Sequence, residues 1–226
     1  MNNLRNPVKD IFSIDRLALQ LQGGVMQKLR PLACLFLIPL FLLTGCALTR
    51  DHVSLEYNSL TQPQVIPHAE KVHVNVGVQD HRVDKSKISC KKNGYGMEMA
   101  SILSKDDIAT IINQAISQEL AARGFILEAR ENPNVVIDVE LVKFYSDFKV
   151  GFFSSESVSE LIMNVKAGNS LNKNSYRRVI SSVGKESPIF IHGGNNAKRS
   201  LEDVLQKGVA ELMEDREFLE TLLNVN

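Results

Sequence analysis

Two short stretches carry the side chains best suited to chemistry. Asp80-His81-Arg82-Val83-Asp84 sets two carboxylates around an Arg and a His. Such a group can hold a charged substrate, a metal or a partner, and so form a contact loop. It can equally satisfy itself, with the planar guanidinium of Arg82 bridging Asp80 and Asp84. His192-Gly193-Gly194 is similar to the oxyanion loop of some esterases, but the Gly-x-Ser-x-Gly elbow those enzymes need is absent. Hydrolysis would need a cleft joining His81, Asp84 and His192. His52, His68 and His73 lack metal-ligand spacing, and no Walker loop or dinucleotide fingerprint is present. No metal site and no cofactor are therefore expected.

The cysteines point to a different chemistry. Leu32 to Leu43 is a run of twelve residues without a charge, preceded by Lys28 and Arg30 and followed by Leu43-Thr44-Gly45-Cys46. As a helix the run would span about 18 Å, against the roughly 30 Å of a bilayer core. It suits the apolar region of a signal peptide. Small residues ahead of a Cys resemble a bacterial lipobox, Leu43, Thr44 and Gly45, with Cys46 as the lipidated first mature residue. Acyl chains on its sulfur and amino group exceed the two-signal threshold for stable anchoring, so membrane lipid is the expected partner at Cys46. Ala47 follows, where an Asp would resemble an inner-membrane retention signal. Met26 opens a complete basic n-region of its own, so translation is expected to start there, with residues 1–45 covering the signal region. Cys34 leaves with the signal. Cys90 then has no intramolecular partner and reads as a buried bystander.

The 226 residues carry 26 basic and 26 acidic side chains, 44% apolar and 6% aromatic residues and no Trp. These are the proportions of a globular protein. A zero balance gives no reason to expect nucleic acid as a partner.

The elements that would position these residues follow from periodicity. Residues 46–70, with Pro63 and Pro67, read as a lipidated Cys and tether, which about 20 extended residues would let reach ~65 Å. Val53, Leu55 and Tyr57 alternate, so part of it can instead form an edge strand. A single domain is expected over 71–226. Val72, Val74, Val76 and Val78 alternate with polar residues and predict a strand with one buried face. A helix follows, with Ser104 as N-cap, an apolar stripe from Ile108 to Leu120, and Gly124 as its stop. Strands are predicted around Val135 to Leu141, Leu161 to Ala167 and Tyr176 to Val183. A second helix starts near Asn196, its stripe running on through Phe218 to Leu223. One polar face per strand favours antiparallel pairing. The expected fold is α+β: a two-layer sandwich, mainly antiparallel, of about four strands with two helices on one face, in the order strand-helix-strand-strand-strand-helix.

Beyond these patterns, the chain resembles the YajG family of bacterial outer-membrane lipoproteins. The resemblance is carried by Asp80-x-Arg82-x-Asp84, by Arg123-Gly124-Phe125 and by Phe144-Tyr145-Ser146-Asp147 with Gly151 beyond, and it covers about Val72 to Phe218. Extra residues between Lys85 and Ser104, including Cys90 and Asn93-Gly94-Tyr95-Gly96, depart from the family pattern. The resemblance implies an envelope lipoprotein with no established enzymatic role and supplies no catalytic residues.

The expectation is a non-enzymatic accessory or binding module, anchored at the outer membrane of a Gram-negative-type bacterium and facing the periplasm. A second envelope protein would be its partner, met through the polar sheet face and the Asp80–Asp84 loop. An envelope hydrolase is the rival reading.

Overall fold

The computed structural model describes residues 49–60, 62–127, 133–170 and 175–223. The lipobox, Cys46 and Met26 lie outside them. Thr49 to Asn226 forms one compact unit.

Seven strands make one mixed sheet: β1 (Asp51–Val53), β2 (Val74–Asp80), β3 (Ser89–Lys92), β4 (Glu98–Ser104), β5 (Val135–Val150), β6 (Ser155–Asn169) and β7 (Ser175–Ile189). Three α-helices accompany it among the described residues: α1 (Ile108–Ala122), α2 (Gly194–Glu214) and α3 (Arg216–Leu223). The order across the sheet is β1-β4-β3-β5-β6-β7, and β2 joins the free half of β5. The expected sandwich of about four mainly antiparallel strands and two helices is therefore overturned in strand number, pairing and helix number.

The pairing has a physical cause. Between β2 and β5 the chain crosses through α1, so β5 returns parallel to β2, with Val74 opposite Val135 and Asp80 opposite Leu141. β1 also runs parallel to β4, and β3 meets β5 in parallel at Ser89 and Ser146. β5, β6 and β7 form a long antiparallel meander. A sheet can thus keep one open face and still contain parallel pairs.

The extra length of β5 is hidden by a bulge. Its register shifts between Leu141 and Lys143. Val135, Ile137, Val139 and Leu141 face the core before the shift, and Phe144, Ser146 and Phe148 after it. One inserted residue flips the inward phase, so the alternation breaks while the strand continues. β6 starts on serines: Ser157 and Ser159 are fully buried, and with Ser146 they ring Ser200 of α2 at 2.7–3.1 Å. Inward positions there carry hydroxyls that satisfy one another, and the segment reads as polar.

The helix boundaries also differ. Asp107, not Ser104, caps α1, its carboxylate accepting the Thr110 N–H at 2.8 Å. Gly124 follows α1 with φ +97°, a left-handed conformation that suits Gly. The predicted second helix is two helices, because Asp215 ends α2 and accepts the N–H groups of Glu217 and Phe218 to start α3. Within the segment read as a tether, Asp51–Val53 forms β1, and Val53 and Leu55 are buried in the core.

Candidate functional site

The Asp80–Asp84 loop leaves the end of β2, where its parallel neighbour β5 is bulging. Arg82 does not bridge the two carboxylates. Its Nε donates to both oxygens of Asp80 (3.0 and 3.2 Å), its Nη2 to Oδ2 (2.8 Å) and its backbone N–H to Oδ1 (3.0 Å). Nη1 reaches the carbonyl of Phe144 at 3.4 Å. The side chains of Arg82 and Asp80 are 6% and 14% exposed. Burial pushes the Asp80 carboxyl upward, but the bonds from Arg82 outweigh it and hold it below the ordinary aspartate range. Asp84 turns away and accepts the Ser86 N–H (2.8 Å) and hydroxyl (2.5 Å), which hold it below that range too. His81 is exposed, with Nε2 3.2 Å from Gln79 Oε1.

The loop borders a cleft of about 340 Å³ against the start of α1, lined by Asp80, Arg82, Lys85, Lys87, Asp106 and Asp107 among others. Arg82 is engaged by Asp80, Lys87 by Glu98 at 2.6 Å, and Asp107 by Thr110. The cleft offers polar contacts, and Asp80, Arg82 and Lys87 among its charged residues are already held in ion pairs.

His192 is elsewhere. Its ring stacks on Phe148 (centroids 4.6 Å apart, planes at 16°) and its Nδ1 donates to the carbonyl of Lys92 at 2.7 Å. The backbone of His81 is hydrogen-bonded to Leu141. Leu141 and Phe148 are seven residues apart on β5, on the order of 20 Å. The hydrolytic cleft of His81, Asp84 and His192 is not assembled. Cys90 is buried, its thiol donating to the Ala100 carbonyl at 3.3 Å, and burial pushes its pKa up.

The remaining resemblance residues turn out to hold the fold. Arg123 is buried in an ion pair with Glu119, and Tyr57 OH donates to the same carboxylate at 2.7 Å. Asp147 accepts from Lys92 and Lys149.

Sequence reasoning missed an apolar surface. Tyr95, Met97, Phe152, Phe153, Phe190 and Ile191 are all exposed. They sit on three connections that leave the same end of the sheet: the β3–β4 turn, the β5–β6 turn and the segment after β7. The signal was available in Phe152-Phe153 and Phe190-Ile191, two apolar pairs beside turn residues.

Over residues 60–223 the sequence matches a lipoprotein family, and the chain belongs to it. That family, Lipoprotein_16, is described as uncharacterized lipoproteins, in keeping with the resemblance to YajG-type proteins. No curated protein sequence matches. Among solved structures, protein XCC0632 from Xanthomonas campestris, of family DUF330, is similar with a TM-score of 0.51 at 11% identity, over 77% of this chain and 95% of that one. An uncharacterized protein (TM-score 0.44, 9% identity, 72% of this chain and 95% of that one) is also similar. So is the hypothetical protein CT253 from Chlamydia trachomatis (0.39, 9%, 69% and 99%). The first likeness is one of fold alone. No helix among the described residues is long and apolar enough to cross a membrane.

Proposed function

We propose that the protein is a non-enzymatic accessory or binding module of the bacterial envelope, anchored through lipid on Cys46 to the outer membrane and facing the periplasm. Membership of a lipoprotein family is the observation that carries this reading. The order of basic residues, apolar run, Leu43-Thr44-Gly45 and Cys46 supplies the attachment point. Ala47 in place of an acidic residue supports the outer over the inner membrane. The separation of His192 from His81 favours a binding role over hydrolysis. Within the Asp80–Asp84 loop, the exposed His81 and Val83 are the residues a partner would touch, since Arg82 is spent on Asp80.

The test is Cys46→Ser. A hydroxyl cannot replace the thiol as lipid acceptor, so labelled fatty acid enters the natural protein and not the variant, which stays unprocessed. Density-gradient separation of membranes then places the natural protein with the outer membrane. Equal labelling of both forms ends the lipoprotein reading, and recovery with the inner membrane ends the sorting part of it.

A further inference from the structure

We infer that the apolar end of the sheet lies on the bilayer that holds the anchor, so that the domain is docked to the lipid surface and not merely leashed to it. The inference rests on the lipid anchor at Cys46.

Phe152 and Phe153 are 93% and 89% exposed, and Phe190 and Ile191 79% and 82%. The two phenylalanines of the β5–β6 turn pack edge to face on each other (centroids 4.7 Å apart) with no cover beyond. Tyr95 and Met97 stand on the neighbouring β3–β4 turn. These residues come together through strand direction. β5 ends at the turn where β6 begins, Ile189 at the end of β7 pairs with Ser155, and β3 runs parallel to β5 towards the same end. Large side chains clustered in this way mark an interaction site, and an aromatic-rich apolar rim suits the interfacial zone of a membrane.

The chain path selects the occupant. β1 is in register with Ile102, Ile102 with Ser89, and Ser89 with Ser146, which sets Asp51 level with Ser146. β1 runs away from the apolar end, so the chain before Asp51 comes from that end. Asp51 is pinned there: Oδ2 accepts the Gly194 N–H at 2.8 Å, three residues past Ile191, and Oδ1 pairs with Lys91 at 2.8 Å. Cys46 precedes Asp51 by five residues, which reach at most about 17 Å. Ser146 is also five residues from Gly151, the start of the apolar turn. A lipid anchor on so short a leash holds the bilayer surface against this end of the domain. The nearby Lys92 and Lys149 both bond Asp147, and Glu156 stands opposite Lys149, so two carboxylates balance two cations there and apolar burial, not headgroup charge, would drive the contact.

The chain contains no Trp, so a single introduced one is an unambiguous reporter. Lipidated mature protein would be reconstituted in phosphatidylethanolamine–phosphatidylglycerol vesicles, with Phe152→Trp or Phe190→Trp as reporters. Val65→Trp, exposed beside Gly124 past the far end of α1, is the control. Acyl-brominated lipid should quench both apolar-end reporters at least several-fold more than the control, with little change between low and high salt. Adding Phe152→Ser and Phe153→Ser to the Phe190→Trp protein should bring its quenching to the control level without changing its unfolding midpoint, because both side chains are exposed. Mass spectrometry of Cys46 separates the two readings. An unacylated Cys46 overturns the anchor; an acylated protein with unquenched reporters overturns the docking and leaves the anchor standing. Reporters shielded from a water-soluble quencher but untouched by brominated lipid would place a second copy or another protein on this surface, and overturn the inference.

Discussion

Arg82 makes three side-chain bonds to one carboxylate, and both partners are largely shut off from water. A pair so placed costs far more to break than an exposed one, since the survivor keeps its charge without its partner. Arg82→Ala is expected to lower stability by about 3 kcal/mol, measured by urea unfolding of the domain. The sign of its pH dependence follows from Asp80. The folded-state pKa is depressed, so the pair's contribution is fully present above the ordinary aspartate value and is lost as pH falls through the folded value. Without Arg82, burial raises the Asp80 carboxyl, so the gap between natural protein and variant should be widest near neutral pH and narrow as pH falls through the acid range. A gap that is constant into strong acid would refute the assignment to Asp80. At this scale the sequence led to the expectation that Arg82 bridges Asp80 and Asp84, and the structure keeps only the Asp80 half of that bridge. Asp80 and Asp84 are equally spaced from Arg82, and only the Ser86 turn, which takes Asp84 for itself, decides between them.

At the scale of elements, legibility followed the regularity of the apolar period. α1 and the first half of β5 read cleanly because their inward positions are aliphatic. The rest of β5 was hidden by the bulge after Leu141, and the first half of β6 by its buried serines. β3 and β4 were lost for a different reason: Ser89-Cys90-Lys91-Lys92 shows no alternation, since the buried Lys91 is neutralised by Asp51, far away in sequence. The same serine region explains how tightly α2 can lie. A Cβ on Gly184 of β7 would come within 2.3 Å of the Ser200 carbonyl and 2.8 Å of the Val204 nitrogen, both backbone atoms of α2. On Gly208 it would meet the flexible end of Leu161. Gly184→Ala should therefore cost about 3 kcal/mol, at the upper end of overpacking changes, and Gly208→Ala clearly less. Asp215 sets the break between α2 and α3 and also accepts the buried Tyr176 hydroxyl at 2.8 Å and Arg178. Asp215→Ala should cost about 2–3 kcal/mol, through the lost cap and the orphaned phenol. Asp215→Asn keeps the cap and should recover about half. Equal midpoints for the two variants would show that the cap contributes nothing.

At the scale of the whole molecule, the sequence placed the expected anchor at Cys46 and read the residues after it as a tether. The polar, proline-containing stretch after Cys46 has the composition of a spacer, and only pairing with β4, a strand itself unread, turns Asp51–Val53 into part of the sheet. Part of the segment read as a tether thus belongs to the fold. Val53 and Leu55 enter the core, Asp51 ties β1 to β3 and to the start of α2, and Tyr57 closes on the buried Glu119. A domain beginning at Thr49 keeps all of these contacts and should unfold at the same urea concentration as the mature chain freed of lipid. One beginning at Asn58 loses two buried aliphatic side chains, each worth about 1.5–3 kcal/mol, together with the acceptor for Lys91. It should be destabilised by at least about 4 kcal/mol, or fail to fold at 37 °C. Inserting a flexible ten-residue spacer between Cys46 and Thr49 makes the opposite change: it leaves the core intact and releases only the leash. Stability should then be unchanged, while lipid quenching of the Phe152→Trp reporter falls in proportion to the time the domain spends away from the surface. If the spacer left quenching as strong as before, the apolar end would be holding the membrane by itself, and the short leash would be unnecessary to the docked state.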